Sequence, residues 1–498
     1  MKHTIKVILF GNELGSLGWD AARNVAYFNF NPDYKGDPSR LFPLAGINPR
    51  QVMWGSTGKI YKGLPPFIAD SLPDAWGMEL FARWRQEHRI PEAQVTPLHL
   101  LSYIGHRGMG ALEYEPEVFE DGYDDPVDIK ALIELSKKIY SDREDARILP
   151  KEALTMQALM AVGTSAGGYR RKAILAINPE TGEIRSVQIG GLDGFKYYIL
   201  KFNEDKCPVS ELEYAYYEMA LAAGIDMAPS RLWKVDGQNH FLTERFDRLG
   251  TRKIHIQTLA ALAPDVRSYE GLVLVCRKMG FSQVAVEKVF TRMVFNILAN
   301  NTDDHHKNFS FTMDEDGHWD LAPAYDLNFI FSTAGAGLAP DRAHCMHVGG
   351  LTTDIPLQTV MDFARDNDIS RQKAEAIITR IAESIKSFRT IAVRCDTPAE
   401  WIGRVETALM DNLRAWDLIP SEKAADWPAR SIGGHQVSNL RIEESYGGNF
   451  HIFAEIDGKE RKFVVTKKKP GYAALAMMGK ENVTDDMLLK IIEPFLLK

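Results

Sequence analysis

Cysteine is scarce in this 498-residue chain: Cys207, Cys276, Cys345 and Cys395 are widely scattered, and no two form a CxxC pair. That scarcity argues against a disulfide framework and a thiolate zinc site, and it leaves reduced, inert thiols. No stretch approaches the roughly 18 consecutive apolar residues of a membrane span. The opening "MKHTIKVILFGNELG" has neither the apolar region nor the small-residue cleavage site of a secretory signal, so a cytoplasmic location is expected, with no membrane partner. An excess of positive charge is missing as well. The formal charge of -8 argues against binding nucleic acid over the whole surface. Internal repeats and low-complexity tracts are also lacking. What remains is an ordinary globular composition, 45% hydrophobic and 25% charged, in a chain too long for one core.

The hydrophobic pattern divides the chain. "TIKVILF" and "NVAYFNF" alternate with period two and predict a small amino-terminal sheet. In "LPPFIADSLPDAWGMELFARW", Pro65, Pro66 and Pro73 break an extended approach before a helix. "KAILAIN", a "PETG" turn, "EIRSVQI" and "YYILKF" read as a three-stranded meander. A helix follows in "SELEYAYYEMALAAGI", then a strand and turn in "HFLTERFDRLG". Beyond Gly250 amphipathic helices predominate to about Leu418, and Val286, Phe290, Met293, Val294 and Ile297 mark one apolar face. The final portion, "NFHIFAEIDGKERKFVVTKKK", predicts a hairpin turning at Asp457-Gly458, followed by a short helix. A sheet-rich half thus precedes a helix-rich half, with polar clusters near the junction. Such a two-lobed arrangement commonly places a ligand cleft between its parts.

The densest polar cluster is "NNTDDHHKNFSF", residues 300–311. Asn308 stands five positions after Asp303, the spacing of the Asp and Asn in the catalytic loop of protein kinases. In that loop the Asp accepts the proton of the substrate hydroxyl and the Asn ligates magnesium. A second carboxylate should return to the same metal. Asp326 in "WDLAPAYDLNF" does so, after a predicted hairpin turning at Asp316-Gly317. The rival chemistry is a binuclear metal centre of Asp303, Asp304, His305 and His306, which is disfavoured because neighbouring side chains diverge. His305 better suits orienting a carboxylate or phosphate, and His306 reads as solvated.

"VGTSAGGYRRKAIL" supplies a Gly-rich turn with two hydroxyls, Thr164 and Ser165, and with Gly167 and Gly168. It fails the P-loop pattern because Tyr169 follows Gly168. It stays open between a lid whose N–H groups face phosphate and an ordinary β-turn. Lys201, closing the apolar strand "YYILKF", has two readings: a charge snorkelling to solvent, or the phosphate-binding lysine of a kinase strand, with Glu213 as a partner. The backbone of "TERFDR" falls where a hinge could meet an adenine.

Taken together, "GTSAGGYRRKA", "YYILKFN", "LTERFDR", "NNTDDHHKNFSF" and "APAYDL", in this order after "LPPFIADSLPDAWG", resemble the HipA family of serine/threonine kinases, the toxins of bacterial toxin–antitoxin pairs. The resemblance covers roughly residues 1–418. It implies an α+β, two-lobed protein-kinase-like fold: a β-rich subdomain over 1–120, a region carrying the Gly-rich loop over 121–250, a helical catalytic lobe over 251–418, and a small appended α/β segment over 419–498. It also implies ATP and magnesium as cofactors, Asp303 as catalytic base, and Asn308 and Asp326 as metal ligands. Lys201 would meet the nucleotide phosphates with His305 near the phosphoryl groups, and Glu244 and Phe246 would lie at the adenine end. The substrate would be a protein such as an aminoacyl-tRNA synthetase. Autophosphorylation at Thr164 or Ser165 would eject the Gly-rich loop, with Arg170, Arg171 or Lys172 holding it afterwards. The expected partner is a small HipB-like DNA-binding antitoxin, through which alone DNA is met. Two other functions stand beside this one: a binding or repression subunit with a vestigial nucleotide site, and a small-molecule or lipid phosphotransferase. The basic "KERKFVVTKKK" of the tail is either a contact for an acidic partner or a set of lysines guarding an edge strand.

Overall fold

The computed structural model describes residues 4–118, 128–141, 159–160, 170–185, 194–204, 207–331, 339–420, 430–432, 435–445, 449–468 and 471–476. The chain is α+β and divides into two compact units, Met1–Trp416 and Asp417–Lys498.

The first unit opens on a five-stranded antiparallel sheet. Its spatial order is Met53–Trp54, Val25–Phe30, Asn12–Asp20, Thr4–Leu9 and Leu112–Glu115. The period-two pattern is realised directly. Ile5, Val7 and Leu9 are buried while Thr4 and Lys6 are exposed. Gly15 is required where it stands, because a Cβ there would lie 2.2 Å from the Asn29 carbonyl oxygen and 2.6 Å from the Phe28 ring. Pro66 starts a single helical turn, Pro66–Ala69, and Asp74 caps the helix Ala75–Glu87 by accepting from the Gly77 N–H at 2.8 Å.

A second five-stranded sheet follows in the order Ile184–Arg185, Lys172–Ile177, Lys196–Lys201, Gln238–Glu244, Ser230–Val235. This differs from the expected meander. Lys172–Ile177 sits between the other two strands and is buried along its whole length. Period alone specifies a strand but not its neighbour, and a strand that is apolar from Ala173 to Ile177 is stable only in the interior. Ala173, Leu175, Leu200 and Leu242 of this sheet, with Phe202 just beyond it, belong to the same continuous core as Val7, Leu17, Phe28 and Leu80 of the amino-terminal portion. The predicted apolar helix is Gln283–Leu298, with Val286, Phe290, Met293, Val294 and Ile297 all buried. It leads into a three-stranded sheet of His255–Thr258, Ser310–Met313 and Trp319–Leu321, whose hairpin turns at Gly317 with φ +82°. Helices Leu357–Asp366, Arg371–Lys386, Phe388–Arg394 and Ala399–Ala415 complete the unit.

The second unit is more than a hairpin. It is a five-stranded antiparallel meander of Arg430–Ile432, His435–Ser445, Asn449–Ile456, Lys459–Lys468 and Gly471–Ala476. The Asp457-Gly458 turn has φ of +49° and +77°, as a two-residue hairpin turn requires. The short helix expected after it falls outside the described residues. Among the described residues no helix is long and apolar enough to cross a membrane.

One charged knot ties the amino-terminal portion to the second sheet. Asp247 accepts from Arg245 at 2.7 Å and from Arg248 at 2.6 Å, and all three side chains are fully buried. Both guanidinium groups donate onward to the Gly108 carbonyl, at 3.1 and 2.9 Å, and the Gly110 N–H donates to Asp247 at 2.8 Å. Burial acts to raise the Asp247 carboxyl, but Arg245 and Arg248 overrule it and hold the group well below the usual carboxylate range. Replacing Asp247 by Asn removes the carboxylate that both buried guanidinium groups share and should cost about 3–5 kcal/mol, read from the urea midpoint. A depressed folded pKa gives stability that is present above the unfolded value and lost as pH falls through the folded one. The gap between wild type and Asp247→Asn should therefore narrow as pH drops below about 4.

Candidate active site

The helix Gln283–Leu298 ends at Ala299, and Asn300 follows in the left-handed conformation, φ +52°, which terminates helices. The next residues turn back beneath it as a loop that carries two adjacent aspartates with opposite fates. The Asp303 side chain is half exposed, whereas Asp304 is buried. Asp304 accepts from the Cys345 N–H at 2.8 Å, the Met346 N–H at 3.3 Å, the Tyr269 hydroxyl at 2.7 Å and His344 Nδ1 at 3.1 Å. Asn296 donates to the Tyr269 hydroxyl at 2.9 Å and accepts from Asn301 at 2.9 Å. Asp304 is thus the anchor of the loop, and its lone pairs are spent on the fold. That removes the binuclear metal reading. His306 is half-buried instead of solvated, and burial, with Arg267 nearby, pushes its pKa down to about 4.

A second anchor comes from the amino-terminal proline-rich segment. Asp70 accepts from the Thr258 N–H at 2.7 Å and hydroxyl at 2.8 Å, and Thr258 caps the turn Leu259–Leu262. That turn in turn donates to the loop: Leu259 N–H to the Phe309 carbonyl at 2.7 Å, and Ala260 N–H to the His306 carbonyl at 3.2 Å. The segment around "LPPFIADSLPDAWG" therefore supports the loop from below.

Lys201 does not snorkel. Its side chain is 12% exposed, and its ammonium lies 2.5 Å from Glu213 on the helix Val209–Ala222 and 2.5 Å from Asp326. Arg170 reaches the other Glu213 oxygen at 3.1 Å. Two carboxylates and two cations thus balance. Burial works against both charges. Asp326 and Glu213 nonetheless raise the Lys201 pKa, and Lys201, with Arg170 and Lys172 behind it, holds Asp326 well below the usual range. Asp326 takes a left-handed backbone, φ +58°, uncommon for a side-chain-bearing residue. The neighbouring Tyr325 fixes it by donating to the Lys307 carbonyl at 2.7 Å, with its ring against Phe246 at 6.0 Å between centroids.

Asp303 joins this group electrostatically. Burial raises its carboxyl, His305 lowers it, and Asp326 and Asp304 raise it further, for a net upward shift. His305 Nε2 stands 3.6 Å from Asp303. Asn308 donates its amide to the Asp303 carbonyl at 2.8 Å, which leaves its side-chain oxygen without a partner among the described residues. A carboxamide oxygen and a carboxylate are hard donors of the kind magnesium takes, so Asn308 and Asp326 fit that ion. The Glu244 side chain is committed to Lys196 at 3.0 Å, so what it has left for a ligand is backbone. Thr164, Ser165, Gly167 and Gly168 lie outside the described residues. Arg171 and Lys172, expected to receive an ejected loop, are buried and bound: Arg171 to Ser136 and to the Asn203 carbonyl, Lys172 to Asp74 at 2.7 Å. Arg170 alone of the three stays accessible.

Two family models account for most of the chain, the HipA N-terminal domain over residues 5–115 and the HipA-like C-terminal domain over residues 164–388. The chain belongs to the HipA family. Lys201, Asp303, Asn308 and Asp326 all fall within the carboxy-terminal HipA match, and the second compact unit lies outside both matches. HipA of Shewanella oneidensis MR-1, solved with HipB and operator DNA, has a similar fold, with a TM-score of 0.56 and 18% identity over 83% of this chain and 97% of that one. Two curated relatives are each named "Putative kinase". The Haemophilus influenzae protein is 28% identical over 198 residues, 36% of this chain, and the match spans 56% of that relative's length. The Sinorhizobium fredii protein is 26% identical over 348 residues, 64% of this chain and 76% of its own length.

The two adjacent aspartates of this HipA-family loop should separate cleanly by calorimetric melting. Asp304→Asn disturbs four buried hydrogen bonds and should cost at least about 1–3 kcal/mol. Asp303→Asn, half exposed, should change stability by no more than about 0.5 kcal/mol.

Proposed function

We propose that this chain is an ATP- and magnesium-dependent protein serine/threonine kinase that acts as the toxin of a bacterial toxin–antitoxin pair. The observation that carries this reading is the Glu213–Lys201–Asp326 bridge standing beside a half-exposed Asp303. A helix glutamate, a strand lysine and a loop aspartate joined in this way are the parts a kinase uses to hold phosphates. The names of the two curated relatives agree with it.

In this reading Asp303 orients the acceptor hydroxyl and takes its proton. Its raised pKa makes it a better proton acceptor than an ordinary aspartate. Lys201 turns part of its charge from Asp326 to the nucleotide phosphates, and Glu213 holds it in place. His305 steadies Asp303 from the other side. Magnesium, held by Asn308 and Asp326, would supply charge neutralisation on the transferring phosphoryl group. Glu244 and Phe246 bound the adenine end, Glu244 through its backbone and Phe246 through a ring already stacked on Tyr325. Gly167 and Gly168 cradle phosphate, and Thr164 or Ser165 accepts an autophosphorylating group that would compete for the same donors. The likeness to a HipA solved with HipB and operator DNA supports a small DNA-binding antitoxin as partner, with DNA met through it. The substrate class is a protein of translation, such as an aminoacyl-tRNA synthetase.

Transfer of labelled phosphate from ATP, to itself or to added protein, tests the reading. Asp303→Asn should lose about 10²–10⁴-fold in rate with its melting temperature kept, and Asp326→Asn and chelation of magnesium should also abolish transfer. A wild-type rate in Asp303→Asn would remove the base from the mechanism. Nucleotide binding with no transfer to any protein would instead mark a binding or repression subunit.

A further inference from the structure

A separate cavity of about 370 Å³ opens between the turn at Gly224, the helix Gln283–Leu298 and the helix Arg371–Lys386. None of the residues assigned above to the nucleotide or the metal lines it. Its volume falls in the range of small-molecule sites, about 300–1,000 Å³. Its charges are unusual. Arg292, 4% exposed, lines the cavity and donates one hydrogen bond, to the Ala322 carbonyl at 2.5 Å. Among the described residues no carboxylate comes within ion-pair distance of it. A buried guanidinium without a counter-charge is costly, and burial already draws its pKa down to about 10.

Two further cations surround the same space. Arg380 donates Nε to the Ala223 carbonyl at 2.8 Å, and among the described residues its terminal amino groups have no partner. Its guanidinium packs against Gly224, where φ is +80° and a Cβ would stand 3.0 Å from Cζ. Lys288 meets Asp226 only at 4.0 Å. Glu287 and Lys373 neutralise each other at 2.5 Å. Three cations therefore face one loosely held carboxylate, and Ile225 and the exposed Val284 add an apolar wall.

We propose that this cavity binds a small organic anion, its carboxylate or phosphate group on Arg292, Arg380 and Lys288 and its apolar body on Val284 and Ile225. The site is tied to the loop that carries Asp326 at two points. Arg292 holds the Ala322 carbonyl, and the Asp226 carbonyl accepts from the Ala324 N–H at 2.7 Å. An occupant would stiffen the approach to Asp326. That consequence rests on the kinase reading above, whereas binding itself does not.

The test is calorimetric titration of the full chain with phenyl phosphate and, separately, with benzoate, in the presence of magnesium and a saturating non-hydrolysable ATP analogue. At least one probe should bind, weakened about tenfold by Arg380→Ala and by Lys288→Ala and unchanged by Lys201→Met. Phenyl phosphate alone would identify a phosphate site, and benzoate alone a carboxylate site. Both replaced side chains lie at the surface, so an unchanged melting temperature verifies folding, and Arg292→Lys, which keeps a charge, should bind more weakly than wild type. Failure of both probes to bind at millimolar concentration, or wild-type affinity in Arg380→Ala and Lys288→Ala, overturns the proposal. Loss of phosphate transfer with binding intact would count against the kinase reading alone.

Discussion

Everything at the centre of this molecule depends on where one ammonium group is held. Lys201 ends a strand that is apolar and aromatic from Tyr197 to Leu200, so its charge has only two ways out: water, or a counter-charge brought to it. The fold brings two. Glu213 comes from the next helix and Asp326 from more than a hundred residues further along, and each lies 2.5 Å away. Because each partner belongs to a different element, the ion group fixes sheet, helix and loop relative to one another. Its charges also cancel, with Arg170 completing the count. A phosphate that displaced Asp326 from Lys201 would find the cation already positioned and desolvated, which is what makes such a group useful and not merely stabilising.

The loop beside it shows how a chain can spend one carboxylate to free another. Asp304 is consumed by four hydrogen bonds and sets the backbone, and Asp303 is thereby held half exposed with no structural duty. Asp70 and Thr258 brace the same loop through the turn that follows them. This gives the amino-terminal portion a mechanical reason to be present. It supplies a half-buried acid to the underside of the loop and the Gly108 and Gly110 backbone to the Arg245–Asp247–Arg248 knot.

What was legible in the sequence follows from the range of the forces involved. Lys201 was visible because a charge at the end of an apolar strand is out of place locally, and Asp326 because a strand, a tight turn and a second strand return the chain to its starting point. The apolar face of Gln283–Leu298 was likewise a matter of spacing within one helix. Asp304 was not legible: its partners Tyr269 and His344 lie 35 residues before and 40 after it, and the spacing to Asn308 that marks Asp303 says nothing of its neighbour's task. In "TERFDR" only a hinge was legible, and not the Arg245–Asp247–Arg248 knot, since the carbonyl that both arginines share comes from Gly108, 137 residues away from Arg245. Strand order in the second sheet was hidden too, because alternation identifies a strand without naming the strand beside it.

The backbone at Asp326 adds a last constraint. A left-handed conformation in a residue other than glycine costs on the order of 1–3 kcal/mol when it lies in a sparsely populated region, and it persists only where its surroundings over-determine it. Here they do. Tyr325 is held by the Lys307 carbonyl on one side and Phe246 on the other, Ala324 by the Asp226 carbonyl, and Ala322 by Arg292. The carboxylate is therefore aimed by clamps on Ala322, Ala324 and Tyr325 in addition to its bond to Lys201. Asp236, Asp354, Asp368, Asp396, Asp417 and Asp457 take the same left-handed backbone, so the conformation is one that aspartate enters readily, and what sets Asp326 apart is the clamps around it.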